Sequence, residues 1–121
     1  MLGRLDYSLT GVPLGVHPVP RITEGAAFRV TLRPLNADLA ATTPTTMRYR
    51  IDDVDQGIAI LDWTSLTPAT SVNVVITSAQ NAIRNDLCVE RRQLVFEASD
   101  SDGPIRRTLD YDIENIQGIE T

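Results

Sequence analysis

The side chains able to do chemistry in this chain are few and scattered. His17 is the only histidine and Cys88 the only cysteine. A Ser-His-Asp or Cys-His centre needs an imidazole held rigid by a third group. His17 stands between Val16 and Pro18, in a proline-rich stretch that offers no such hold. One histidine and one cysteine also fall short of the four nitrogen and sulfur ligands usual for zinc. Carboxylates cluster in two short stretches, Asp52, Asp53 and Asp55, and Asp100 and Asp102. Neither follows the calcium-loop pattern, because Gly57 is misplaced and no glutamate closes either ring. Both read as hairpin turns with solvated aspartates. No glycines crowd into a phosphate cradle, and a chain without lysine has no P-loop. The expectation is a protein that is not an enzyme and carries no cofactor or metal. Trp63 is the remaining residue of interest: it either caps a core or anchors an interface, a role tryptophan fills often.

Composition points the same way. The chain has 121 residues, enough for one domain and too few for two. Sixteen acidic residues against eleven arginines give a net charge of −5. Arg91-Arg92 and Arg106-Arg107 are each flanked by acids (Glu90, Asp102, Asp110), so no basic stripe exists for a phosphate backbone and nucleic acid is not expected as a partner. A single cysteine makes no internal disulfide. No cationic segment followed by an apolar run opens the chain, and no stretch reaches the ~18 apolar residues of a membrane span. A protein made in a cytoplasm, and either kept there or assembled there into something larger, away from membranes, is the expectation.

Period-two patterning dominates from Ile22 onward. Phe28, Val30 and Leu32 alternate with Arg29, Thr31 and Arg33; Met47, Tyr49 and Ile51 alternate with Thr46, Arg48 and Arg50. Ile58 to Trp63 is a short apolar run. Val72, Val74 and Ile76 form a further strand, and Leu94, Phe96 and Ala98 another. In the last run Ile105, Leu109, Tyr111 and Ile113 face inward, with Arg107 the polar exception on that face. Asp52–Gly57 and Ser99–Pro104 supply turn chemistry at hairpin distance. Only residues 78–87 could hold a helical turn. With a weak strand near Arg21 to Glu24, the count is about seven, as in an antiparallel β-sandwich. Residues 1–20 read differently. Pro13, Pro18 and Pro20 forbid a helix or central strand, predicting an extended arm ahead of a sandwich over 21–121. Val12, Leu14, Val16 and Val19 make that arm too apolar to lie free in water.

The strand order resembles immunoglobulin-like and fibronectin type III-like sandwiches. More narrowly, Met47 to Ile119 is similar to small immunoglobulin-like structural proteins of tailed bacteriophages. The stretches that carry the likeness are MRYRIDD, ILDWTSLTPATSVNVVIT, SAQNAI, ERRQLVFEASDSDG and TLDYDIENIQGI. This resemblance implies a virion structural protein, either a capsid decoration (cement) protein or a neck or tail accessory, assembled in the host bacterial cytoplasm. Its partners would be other virion proteins and further copies of itself. The interface would comprise Val12, Pro13, Leu14, Val16, Pro18, Val19 and Pro20 of the arm, together with Trp63. An arm that docks on a neighbour predicts that removing residues 1–20 leaves a folded monomer unable to assemble. The other reading is an arm folded back over its own sandwich as an edge covering, whose removal would unfold or aggregate the chain. The alternative is a carbohydrate- or protein-binding adhesion module.

Overall fold

Alternation of apolar and polar residues becomes alternation of buried and exposed ones along most of the chain. The computed structural model describes residues 2–12, 19–82 and 89–114. They form eight strands: β1 Leu2–Thr10, β2 Arg21–Thr23, β3 Phe28–Asn36, β4 Thr46–Asp53, β5 Ile58–Leu66, β6 Val72–Ile76, β7 Val89–Asp100 and β8 Gly103–Glu114. Two sheets result, of order β1-β3-β6 and β2-β8-β7-β4-β5. All neighbours are antiparallel except β2 and β8, which run parallel. The architecture is an all-β sandwich, and no helix occurs among the described residues.

Each strand buries the side chains that the two-residue period selects. Phe28, Val30 and Leu32 of β3 meet Tyr49, Ile51, Leu94, Phe96, Leu109 and Tyr111 of the larger sheet in one continuous core. Phe28 and Tyr111 bridge the sheets edge to face, with ring centroids 5.0 Å apart. Arg107, although in register with the buried Phe96, lies exposed near the rim of the sandwich with its guanidinium 5.0 Å from the Tyr7 ring. In each acidic turn one carboxylate serves its own backbone, and one of these, Asp53, is fully buried rather than solvated. Asp52 instead binds Arg50, and Asp55 accepts from the Arg91 amide. Asp53 accepts from the amides of Asp55 and Gln56 at 3.0 and 3.2 Å, and Asp100 accepts from the Asp102 amide at 2.8 Å. Gly57 and Gly103 complete these hairpins with φ of 68° and 115°, where a side chain would be strained.

The N-terminal region departs most from expectation. Residues 2–10 are not an arm but the edge strand β1, paired along β3 and burying Leu2 and Leu5 in the core. The spacing of three between those leucines hid the strand. A register irregularity between Leu2 and Arg4 absorbs the extra residue, so both leucines face inward. Gly3 sits at that irregularity because a Cβ there would lie 2.5 Å from the Asn36 carbonyl oxygen. Val12 packs against the core, and the Pro20 carbonyl accepts from the Asp112 amide at 2.8 Å. The described ends of the supposed arm are therefore tied to opposite sheets. The sandwich is not complete from Arg21, and removing residues 1–20 takes away one strand of the smaller sheet. Pro13, Leu14, Val16, His17 and Pro18, like Cys88, lie outside the described residues.

Candidate functional site

The outer face of the five-stranded sheet carries a row of charged side chains set by register alone. Arg48 on β4 stands opposite Glu97 on β7, and Glu97 stands opposite Arg106 on β8. Glu97 accepts from Arg48 Nε on one oxygen at 2.8 Å and from Arg106 Nε on the other at 2.6 Å. Arg48 first, and Arg106 after it, hold the Glu97 carboxyl below the usual carboxylate range, against the opposing effect of its burial. Both guanidiniums spend only their Nε on this contact. Their terminal nitrogens make no hydrogen bond among the described residues, although these side chains are 41% and 60% exposed.

Trp63 joins this row through an irregularity in β5. Tyr49 pairs with Thr64 and Ile51 with Leu61, so Asp62 and Trp63 both stand opposite the single residue Arg50. Such a bulge re-aims side chains, and here it sets the indole on the outside of the sheet. The Arg48 guanidinium lies 4.0 Å from the ring centroid, with those of Arg50 and Arg106 each at 5.6 Å. Cation–π attraction of this kind is worth roughly 0.5–1 kcal/mol at exposed sites. Arg50 is held in turn by Asp52, which accepts from Nε at 3.1 Å and Nη2 at 2.8 Å. Val95, in outward register between Arg50 and Thr108, is only 9% exposed and adds an apolar floor. Trp63 thus lies outside the core cluster, so the reading of it as a cap on the sandwich interior is corrected.

Of the interface residues expected from sequence, only Trp63 belongs to this cluster; Val12, Val19 and Pro20 lie elsewhere. Arg48, Arg50, Glu97 and Arg106 were visible as outward positions, but nothing in a linear pattern pairs Arg48 with Glu97 across 49 positions. That pairing needs the register. The open depression of about 270 Å³ lined by Thr10, Ala27, Phe28, Arg29 and Val75 carries a single titratable group, Arg29. Among the described residues, no three His, Cys, Asp or Glu side chains converge where a metal could be held. No helix among them is long and apolar enough to cross a membrane. At the level these observations define, the protein is a two-sheet all-β sandwich with an arginine-clamped tryptophan on its larger sheet. No protein-family model, curated protein or solved structure matches the chain.

Proposed function

We propose that this chain is a non-catalytic structural protein of a tailed-phage particle, and that it docks on neighbouring virion proteins through the outer face of its five-stranded sheet. The observation that carries the docking face is Trp63, lifted outward by a β5 bulge and held under three guanidiniums. Ordering an indole and three arginines before a partner arrives lowers the entropy lost on docking. Tryptophan and arginine are also the residue types that dominate binding energy at protein interfaces. The virion reading draws its support from the sequence resemblance over Met47 to Ile119. An immunoglobulin-like arrangement is supported by strand order: β1-β3-β6 follows the A-B-E order, and β8-β7-β4-β5 follows G-F-C-C′. That likeness is one of fold, which alone does not carry function. Residues 2–10 of the expected arm are paired within their own sandwich, and Pro13, Leu14, Val16 and Pro18 lie outside the described residues, so the docking is assigned to the face that carries Trp63.

The test is incorporation. Mass spectrometry of particles purified from cells expressing the gene should find the chain at a fixed copy number. Trp63→Ala should lower that copy number at least tenfold while its melting temperature stays within a few degrees of the parent. Absence of the parent chain from purified particles would end the virion reading. A Trp63→Ala chain that incorporates normally would end the assignment of the docking face.

A further inference from the structure

The sandwich has four edge strands, and three of them carry features that discourage pairing with another chain. β2 is three residues long and follows Pro20. β5 is broken by two register shifts and presents Asp62, whose side chain is 83% exposed. β1 has the irregularity at Leu2 and Arg4 and exposes the Arg4–Asp6 ion pair. Short length, bulges and charge are the devices by which proteins protect sheet edges. β6 has none of them. It reads Val72-Asn73-Val74-Val75-Ile76, in unbroken register with β3 from Leu32 to Phe28, and among the described residues β3 is its only partner. Val75 points outward and is 50% exposed.

Charge explains which partner suits this edge. The chain carries −5 overall, so two copies repel one another across most approaches. Residues 63–83 contain no charged residue, an uncharged run of 21 in a chain with 27 charged positions (11 + 16). β6 lies in the middle of that run. We infer that β6 is a self-association edge, pairing antiparallel with β6 of a second copy about a two-fold axis at Val74 to join two three-stranded sheets into one of six strands. In that register Asn73 of each copy stands opposite Val75 of the other, and Ser71 stands opposite Thr77. β-Branched pairs fill the junction, and no like charges meet. The interface is isologous, as the commonest closed dimers are. It uses a strand remote from Trp63 and does not depend on the docking face proposed above.

Analytical ultracentrifugation of the purified full chain between about 1 µM and about 0.5 mM tests this. The parent should move from monomer to dimer mass across that range. Val75→Lys sets two lysines on diagonal positions of the paired strands, roughly 7 Å apart at the backbone, and should weaken dimerisation at least tenfold. Asn73→Lys should act likewise, and Val75→Thr, β-branched and uncharged, should preserve the dimer. Thermal melting identifies any variant that has lost its fold, in which case the other lysine variant decides. A parent that stays monomeric throughout the range overturns the inference, and so does a dimer that persists in folded Val75→Lys and Asn73→Lys.

Discussion

Strand β7 holds two carboxylate–guanidinium groups on opposite faces, and they differ in nearly everything but chemistry. Glu90 and Arg92 occupy the inward register shared with Leu94, Phe96 and Ala98, and both side chains are fully buried. Glu97 occupies the outward register, 11% exposed, between Arg48 and Arg106 at the surface. In the interior pair, Arg92 Nη1 donates to Glu90 at 2.8 Å and Nη2 donates to the Ala82 carbonyl at 2.9 Å. Among the described residues, Arg92 Nε has no partner. Its cross-strand neighbour Tyr111 donates to Asn81 Oδ1 at 2.8 Å, and Asn81 donates to the Ala26 carbonyl at 2.7 Å. Two adjacent residues of the larger sheet thereby grip two consecutive residues of the turn after β6. Desolvation takes back most of the attraction in such a pair, so it contributes less to net stability than to fixing which segment lies where. The outer group is the reverse case. Water screens it, its net worth is small, and its unspent donors remain accessible to a partner.

That contrast is tested most severely at Arg92. Arg92→Leu removes a guanidinium from the fully buried pair with Glu90 and the donor to the Ala82 carbonyl, and breaking a buried pair of this kind costs about 3–5 kcal/mol. The midpoint of urea unfolding should shift accordingly, with the slope unchanged if the two-state character survives. A loss below about 1 kcal/mol would mean that the interior pair is as dispensable as a surface one. Tyr111→Phe is milder. It keeps the edge-to-face contact with Phe28 but leaves Asn81 Oδ1 without its phenolic donor, at about 1–3 kcal/mol. Burial also pushes the Tyr111 phenol well above its ordinary pKa, so the parent should show no tyrosinate signal from this residue in alkali short of unfolding.

How much of this was legible beforehand depends on whether a feature is local or set by register. The inward faces of β3, β4, β6 and β7 follow a two-residue period, and the core residues drawn from it are buried, from Phe28 to Ala98. On β8 the period holds for Leu109, Tyr111 and Ile113 but not for Ile105, half-buried, or Arg107, exposed. β1 escaped because its one-residue slip at Gly3 breaks the period and because nearby prolines made the whole N-terminal region look alike. The β7 pattern foretells neither ion group. Glu90 and Arg92 are charged residues on an apolar face, a signal that sequence reading treats as the strand's end rather than as a buried pair. The Arg48–Glu97–Arg106 row is fixed by two strand pairings that a linear pattern does not contain. Trp63 was legible as a residue of interest, but its side of the sheet is decided by a bulge, and bulges have no composition of their own.

The smallest effect belongs to the outer group, and acid separates it from the inner one. The Arg48 guanidinium, and that of Arg106 after it, hold the Glu97 carboxyl below its ordinary value of 4.5. A depressed native pKa means that these ion pairs add stability above the unfolded value and lose it as pH falls through the lower native one. With both arginines well exposed, screening limits the contribution to about 1 kcal/mol or less. Glu97→Gln should therefore unfold slightly more easily than the parent near neutral pH, and the gap should close in acid. The fluorescence of Trp63, the only tryptophan, reports on the outer face: Glu97 tethers the Arg48 guanidinium that lies over the ring, so protonating Glu97 is expected to release Arg48 and change the indole's surroundings. Its emission should change in the parent below the ordinary carboxylate range, while far-UV circular dichroism of the strands stays constant, and Glu97→Gln should show the changed emission already at neutral pH. A fluorescence change that coincides with loss of the strand signal in both proteins would mean that the outer row is not an independent unit but part of the same cooperative structure as Glu90 and Arg92.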